Sequence, residues 1–130
     1  MKQKTNTNYD ITQSTNLIIR GEELKVFTQI IVADDNSPYK AFILVLLKEL
    51  DNDFEKFLRI ISIASQTKGF VARRLIEKVI ITIREAVVIT DIRSGILETK
   101  TISDLANSLR YEGYNISRQF IHRTINKYEL

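Results

Sequence analysis

Between residues 101 and 130, TISDLANSLRYEGYNISRQFIHRTINKYEL, apolar side chains recur at helical spacing on two short segments separated by a glycine. On the first segment Ile102, Leu105, Ala106 and Leu109 fall within one arc of about 100°. Thr101 precedes it as an N-cap, with Asp104 placed to reach back in a capping box. Tyr111-Glu112-Gly113-Tyr114-Asn115 then turns the chain, Gly113 being suited to a positive φ. Ile116 plugs that turn into the core and Ser117 caps the second segment. There Ile121, Thr124, Ile125 and Tyr128 share one face, with Phe120 at its edge. The pattern predicts a helix-turn-helix over residues 96–130.

The preceding residues are expected to be mainly α as well. Residues 1–16 are polar, rich in Asn, Thr, Gln and Lys, and read as a flexible arm in which Lys2 and Lys4 are available to a phosphate backbone. Residues 17–32 admit two readings. One is a small β-hairpin turning at Gly21; the other is a helix beginning near Gly21 with Leu24, Phe27 and Ile31 on one side. Ser37-Pro38 marks a helix start, with proline in the first helical position, and the helix runs to about Leu50. Its middle is apolar all round, which predicts a place at the centre of the core.

Asp51 or Asn52 is expected to cap the next helix, with Phe54, Phe57, Leu58, Ile61 and Ala64 as its stripe and Gly69 at its C-terminal turn. A longer helix follows from about Phe70. Val71, Leu75, Ile76, Val79, Ile80 and Ile83 line one side, and Arg73, Arg74, Glu77, Lys78, Arg84 and Glu85 form a solvated opposite face. Residues 86–90 fit either a continued helix or a strand. Residues 17–95 are thus a helical core and candidate dimerisation domain, because the stripe on the long helix is long enough to serve a dimer too.

The 130-residue length allows one domain or a small core with an appended module. A net charge of +3 and a pI near 9.2 tolerate nucleic acid without demanding it. The chain has no cysteine, which excludes disulfides and thiolate chemistry and fits a cytoplasmic protein. The longest apolar run, residues 41–47, falls far short of the roughly 20 residues of a membrane span. A soluble protein with no membrane partner is expected.

The outer face of the last segment carries the functional signal. Arg118, Gln119, His122, Arg123 and Asn126 gather opposite the apolar face with Lys127 beside them, and Ser117 stands at the start of the same segment. Arg can donate twice to guanine, Gln and Asn can pair with adenine, and Lys or Arg neutralises phosphates. A helix N-terminus at Ser117 adds backbone donors for a phosphate. Residues 101–128 resemble the helix-turn-helix of the arginine-repressor N-terminal winged-helix domain, and more loosely that of ferric-uptake-type repressors. The likeness lies in Leu105-Ala106, Leu109, Gly113-Tyr114-Asn115-Ile116-Ser117, Ile121, Arg123 and Ile125. It implies that Ser117, Arg118, Gln119, His122 and Arg123 face DNA. It covers about a quarter of the chain and lacks the two-stranded wing, and residues 17–95 do not suggest the arginine-binding domain.

The resulting expectation is sequence-specific binding of double-stranded DNA by a homodimer, as a small transcriptional regulator or a replication or partition factor. The alternative is a structural or assembly protein, such as a virion or scaffold component, using the same helices for protein contacts. Isoleucine and asparagine usage fits the AT-rich genome of a mobile element or virus. His122 is the single histidine and has no nucleophile or carboxylate motif beside it. Asp34-Asp35-Asn36 lacks EF-hand spacing and reads as capping rather than a metal loop. Phosphate-loop, dinucleotide, nucleophile-elbow and zinc-protease motifs are absent. No catalytic residue, metal, cofactor or small-molecule effector is therefore expected, and the chain is not expected to be an enzyme.

Overall fold

The computed structural model describes residues 17–68 and 70–130, without the side chains of 65–72. The expected arm (Lys2 and Lys4 included), Gly69 as a helix end, and Val71 in the apolar stripe lie outside the described residues. Among those described there are six α-helices and no strand. They are α1 (Gly21–Ala33), α2 (Lys40–Glu49), α3 (Phe54–Lys68), α4 (Phe70–Arg93), α5 (Ile102–Tyr111) and α6 (Arg118–Tyr128), with one 3-10 turn, Ile96–Glu98, between α4 and α5. The protein is mainly α.

For residues 17–32 the helix prevails from Gly21 and no hairpin forms. Glu22 and Glu23 occupy the first turn, where carboxylates suit the helix dipole. Val26, Phe27 and Ile31 are buried, and α1 packs on α4. Residues 17–19 approach as extended chain, with Leu17 and Ile19 buried and Ile18 less so. Phe27 meets Phe54 edge-on with ring centres 5.1 Å apart, and Phe57 stands 6.4 Å away, so α1 and α3 share an aromatic cluster.

The central helix is α4, not α2. All of residues 85–89 are buried on α4, which packs against α1, α3 and α6. On α2 only Ile43 and Leu47 are buried, while Phe42 and Val45 stand 48% and 60% exposed. An apolar run without periodicity does not say which of its faces meets a neighbour, and here α1 and α3 cover only one side. The helix also begins later than Ser37-Pro38 implies. The Ser37 hydroxyl accepts the Tyr39 N–H at 3.2 Å in a local turn, and the first helical bond runs from Ile43 N–H to the Tyr39 carbonyl.

Asp53, rather than Asp51 or Asn52, caps α3, its carboxylate accepting the Lys56 N–H at 3.2 Å. Asp51 and Asn52 belong to the preceding turn, where both adopt positive φ. Phe54, Phe57, Leu58 and Ile61 are buried as their spacing requires. Residues 86–90 continue α4 as helix. Leu75, Ile76, Val79 and Ile83 of the expected stripe are buried within the chain itself, and Ile80 packs at its edge.

Glu85 departs from its expected place. It does not lie on a solvated face: it is 5% exposed and takes two hydrogen bonds from α6. Asp34 closes α1 only through its backbone N–H, which reaches the Ile31 carbonyl; its carboxylate caps no helix, accepting the Asn36 N–H within the turn and pairing with Lys78 of α4. That bond holds the Asp34 carboxyl below its ordinary range. No group of three metal-ligating side chains occurs among the described residues. No described helix is long and apolar enough to cross a membrane.

Candidate nucleic-acid interface

The capping box at the start of α5 is complete. Thr101 Oγ1 accepts the Asp104 N–H and the Asp104 carboxylate accepts the Thr101 N–H, both at 3.1 Å. These bonds from Thr101 hold the Asp104 carboxyl below its usual range. Leu105, Ala106 and Leu109 are buried and Ile102 is half-buried. Gly113, at φ 103°, ends the helix in a Schellman arrangement. The Tyr114 N–H returns to the Leu109 carbonyl and the Gly113 N–H to that of Arg110.

Three side chains fix the turn that follows. Ile116 is fully buried, and the Arg110 guanidinium crosses the turn to the Ile116 carbonyl at 3.0 Å. Tyr114, which looks like a turn residue in the sequence, is also buried. Burial and the nearby Glu23, Glu112 and Asp91 push its phenol up to about 12. The Ser117 hydroxyl then accepts the Phe120 N–H at 3.1 Å and starts α6.

Helix α6 has two faces. Ile121 and Thr124 are buried, and Phe120, Ile125 and Tyr128 pack on the core from the edges. Ser117, Arg118, Gln119, His122, Arg123, Asn126 and Lys127 are all exposed, as the spacing predicts. Six of the seven candidate residues thus lie on the outward half of α6, and the seventh, Ser117, precedes it as its N-cap. Gln119, His122, Arg123 and Asn126 form its middle at 100° per residue. Arg118 sits at one flank, 3.4 Å from the Ser103 hydroxyl of α5. Arg123 leans over the Phe120 ring, 5.9 Å from its centre.

Lys127 differs from the others. Its Nζ lies 3.0 Å from Oε2 of Glu85, and Tyr128 Oη donates to Oε1 at 2.7 Å. Burial first, and then the Glu85 contact, raise the Tyr128 phenol well above its ordinary value, so it remains a donor at neutral pH. These contacts join α6 to α4. Sequence reasoning missed the α4 side of this junction, Arg84 and Glu85, by placing them on a solvated face. The available signal was the unbroken apolar run 86–89 just after them, which marks a stretch of helix buried on several sides.

The arrangement can donate hydrogen bonds in several directions from a convex helical face. It offers no nucleophile with an adjacent base. No family model, curated protein or solved structure matches the chain, so the reading of this face rests on its own residues.

Proposed function

We propose that the chain binds double-stranded DNA sequence-specifically, laying α6 in the major groove as a recognition helix. One observation carries the reading: α6 is locked into the core on one side and presents only amides, cations and a histidine on the other. Gln119, His122 and Asn126 read base edges, and Ser117, Arg118, Arg123 and Lys127 meet the backbone. The role is that of a small transcriptional regulator or a replication or partition factor, non-enzymatic and cytoplasmic. A homodimer would set two such helices about 34 Å apart, one turn of DNA.

Salt-titrated binding to duplex DNA tests this. Log affinity should fall with log salt at about 0.9 per neutralised phosphate, with tighter binding to a sequence recovered by selection from random duplexes. Absence of binding at low salt would sink the proposal.

A second reading, a structural or assembly protein, draws support from the exposed Phe42 and Val45 on α2 and Ile60 and Ile63 on α3. In this form the partner meets α2 and α3 rather than the C-terminal helices, and self-association or protein binding should not depend on the α6 face.

A further inference from the structure

Beside α6, Phe120, Arg123 and Lys127 face Ile81, Arg84 and Glu85 of α4 across an open cleft of about 380 Å3. This flank is opposite the one that touches α5, since Lys127 stands about half a turn round the helix from Arg118. Three cations here meet one carboxylate, and that carboxylate is fully engaged: Tyr128 binds one oxygen of Glu85 and Lys127 the other. Arg84 enters no ion pair among the described residues, and its Nε is buried with no hydrogen-bond acceptor.

A buried donor left without an acceptor is costly, so the Arg84 Nε–H calls for an acceptor beyond the described side chains. Removal from water also disfavours the charged form of Arg84, an effect that an incoming anion would reverse. The complement of a guanidinium donor with Arg123 and Lys127 beside it is a compact anion with several acceptor oxygens. Ile81, 45% exposed at the rim, offers an apolar shelf next to the charge. A nucleotide backbone has that composition, a phosphate joined to a sugar.

We infer that the cleft is a phosphate site, in which Arg84 of α4 joins Arg123 and Lys127 to hold the DNA strand running along the outer flank of α6. The choice of DNA as the source of the phosphate rests on the function proposed above; the phosphate chemistry does not. A helix in the major groove has a sugar–phosphate strand on each side. The α5 flank meets one through Arg118 and the start of α6. Arg84 supplies the other from outside the helix-turn-helix.

The test pairs duplex DNA with inorganic pyrophosphate, using the full chain. Arg84→Gln should lower the slope of log affinity against log salt by about 0.9 and weaken all duplex sequences alike, while Arg84→Lys keeps the slope. Because Arg84 is half-buried, the wild-type Nε–Hε signal of Arg84 in a nitrogen–proton correlation spectrum gives a second readout that needs no folded Gln variant. It should shift on adding either duplex or pyrophosphate. Duplex binding with an unchanged slope and an unmoved Arg84 signal overturns the inference and leaves the DNA reading standing. A shift with pyrophosphate but no duplex binding supports the phosphate site with a free ligand and ends the DNA reading. No shift with either, and no binding, removes both.

Discussion

Tyr128 Oη and Glu85 Oε1 are joined by a 2.7 Å hydrogen bond across 43 residues of sequence, from the last turn of α6 to the middle of α4. Glu85 is buried, so its charge must be met inside the protein. Lys127 is more than half exposed and provides the weaker share of that compensation. Tyr128→Phe should therefore cost about 1.5–3 kcal/mol, the range for a hydrogen bond to a charged group. Lys127→Met should cost less. Urea unfolding with an unchanged slope and a lowered midpoint would confirm this, and an unchanged midpoint for Tyr128→Phe would refute it.

Two carboxylates should shift stability with pH in opposite directions. Asp91 is raised above its ordinary value by burial and then by Glu112, so the folded state holds its proton to higher pH than the unfolded chain does. The resulting penalty is absent below about pH 4 and grows as pH rises through the raised value. Asp91 also lies near the C-terminal end of α4, where a negative charge opposes the dipole. Asp91→Asn should accordingly stabilise the protein at pH 7 by about 0.3–1 kcal/mol and have no effect at pH 3. Asp34 is lowered by Lys78, so its contribution is present at neutral pH and lost as pH falls through the depressed value. Asp34→Asn should destabilise at pH 7, by about 1 kcal/mol or less for a partly exposed pair, and become neutral in acid. Thermal unfolding across pH 3–7 checks both signs.

Phe27 is fully buried and touches two further rings. Phe27→Ala should cost about 3–5 kcal/mol in denaturant unfolding. A loss below 1 kcal/mol would mean that the α1–α3 aromatic cluster does not hold the N-terminal helices together.

Stability and recognition should separate on the two helices of the C-terminal pair. Thr101→Ala removes the capping box and should cost about 0.5–2 kcal/mol of stability while leaving preference among duplexes intact. Gln119→Ala touches only the exposed face and should leave the unfolding midpoint in place. On the preferred duplex it should lose about 1–3 kcal/mol. Equal losses on preferred and random duplexes would show that Gln119 does not read a base.

The legible parts of this chain are those whose causes are local. Thr101 and Asp104 cap one another three residues apart, Gly113 stands where a helix end needs positive φ, and Ile116 and Ser117 follow at once, so the pair α5–α6 can be read directly from its letters. The exposure of the six residues on α6 follows from the same periodicity. What escapes is decided by distant neighbours. Residues 41–47 are apolar on every side, and only the positions of α1 and α3 determine that Ile43 and Leu47 are buried while Phe42 and Val45 are not. Glu85 reads as a surface acid because the groups that make its burial tolerable, Lys127 and Tyr128, lie more than forty residues away. In residues 17–32 the β-branched letters suit both a strand and a helix, and packing on α4 decides between them.

The helix end at Asp51 has a consequence for how far this protein is from its attainable stability. The Asn52 N–H bonds to the Leu47 carbonyl and the Asp51 N–H to that of Lys48, the same pair of bonds that closes α5, but with aspartate at φ 53° in the position Gly113 fills there. Glu129 repeats the substitution at the end of α6, at φ 54°, with the Leu130 N–H reaching the Ile125 carbonyl. Two of the chain's helices thus stop on residues for which a left-handed backbone is strained. The chain keeps an untapped reserve at two sites remote from the middle of the recognition face, where glycine would relieve strain without altering the fold.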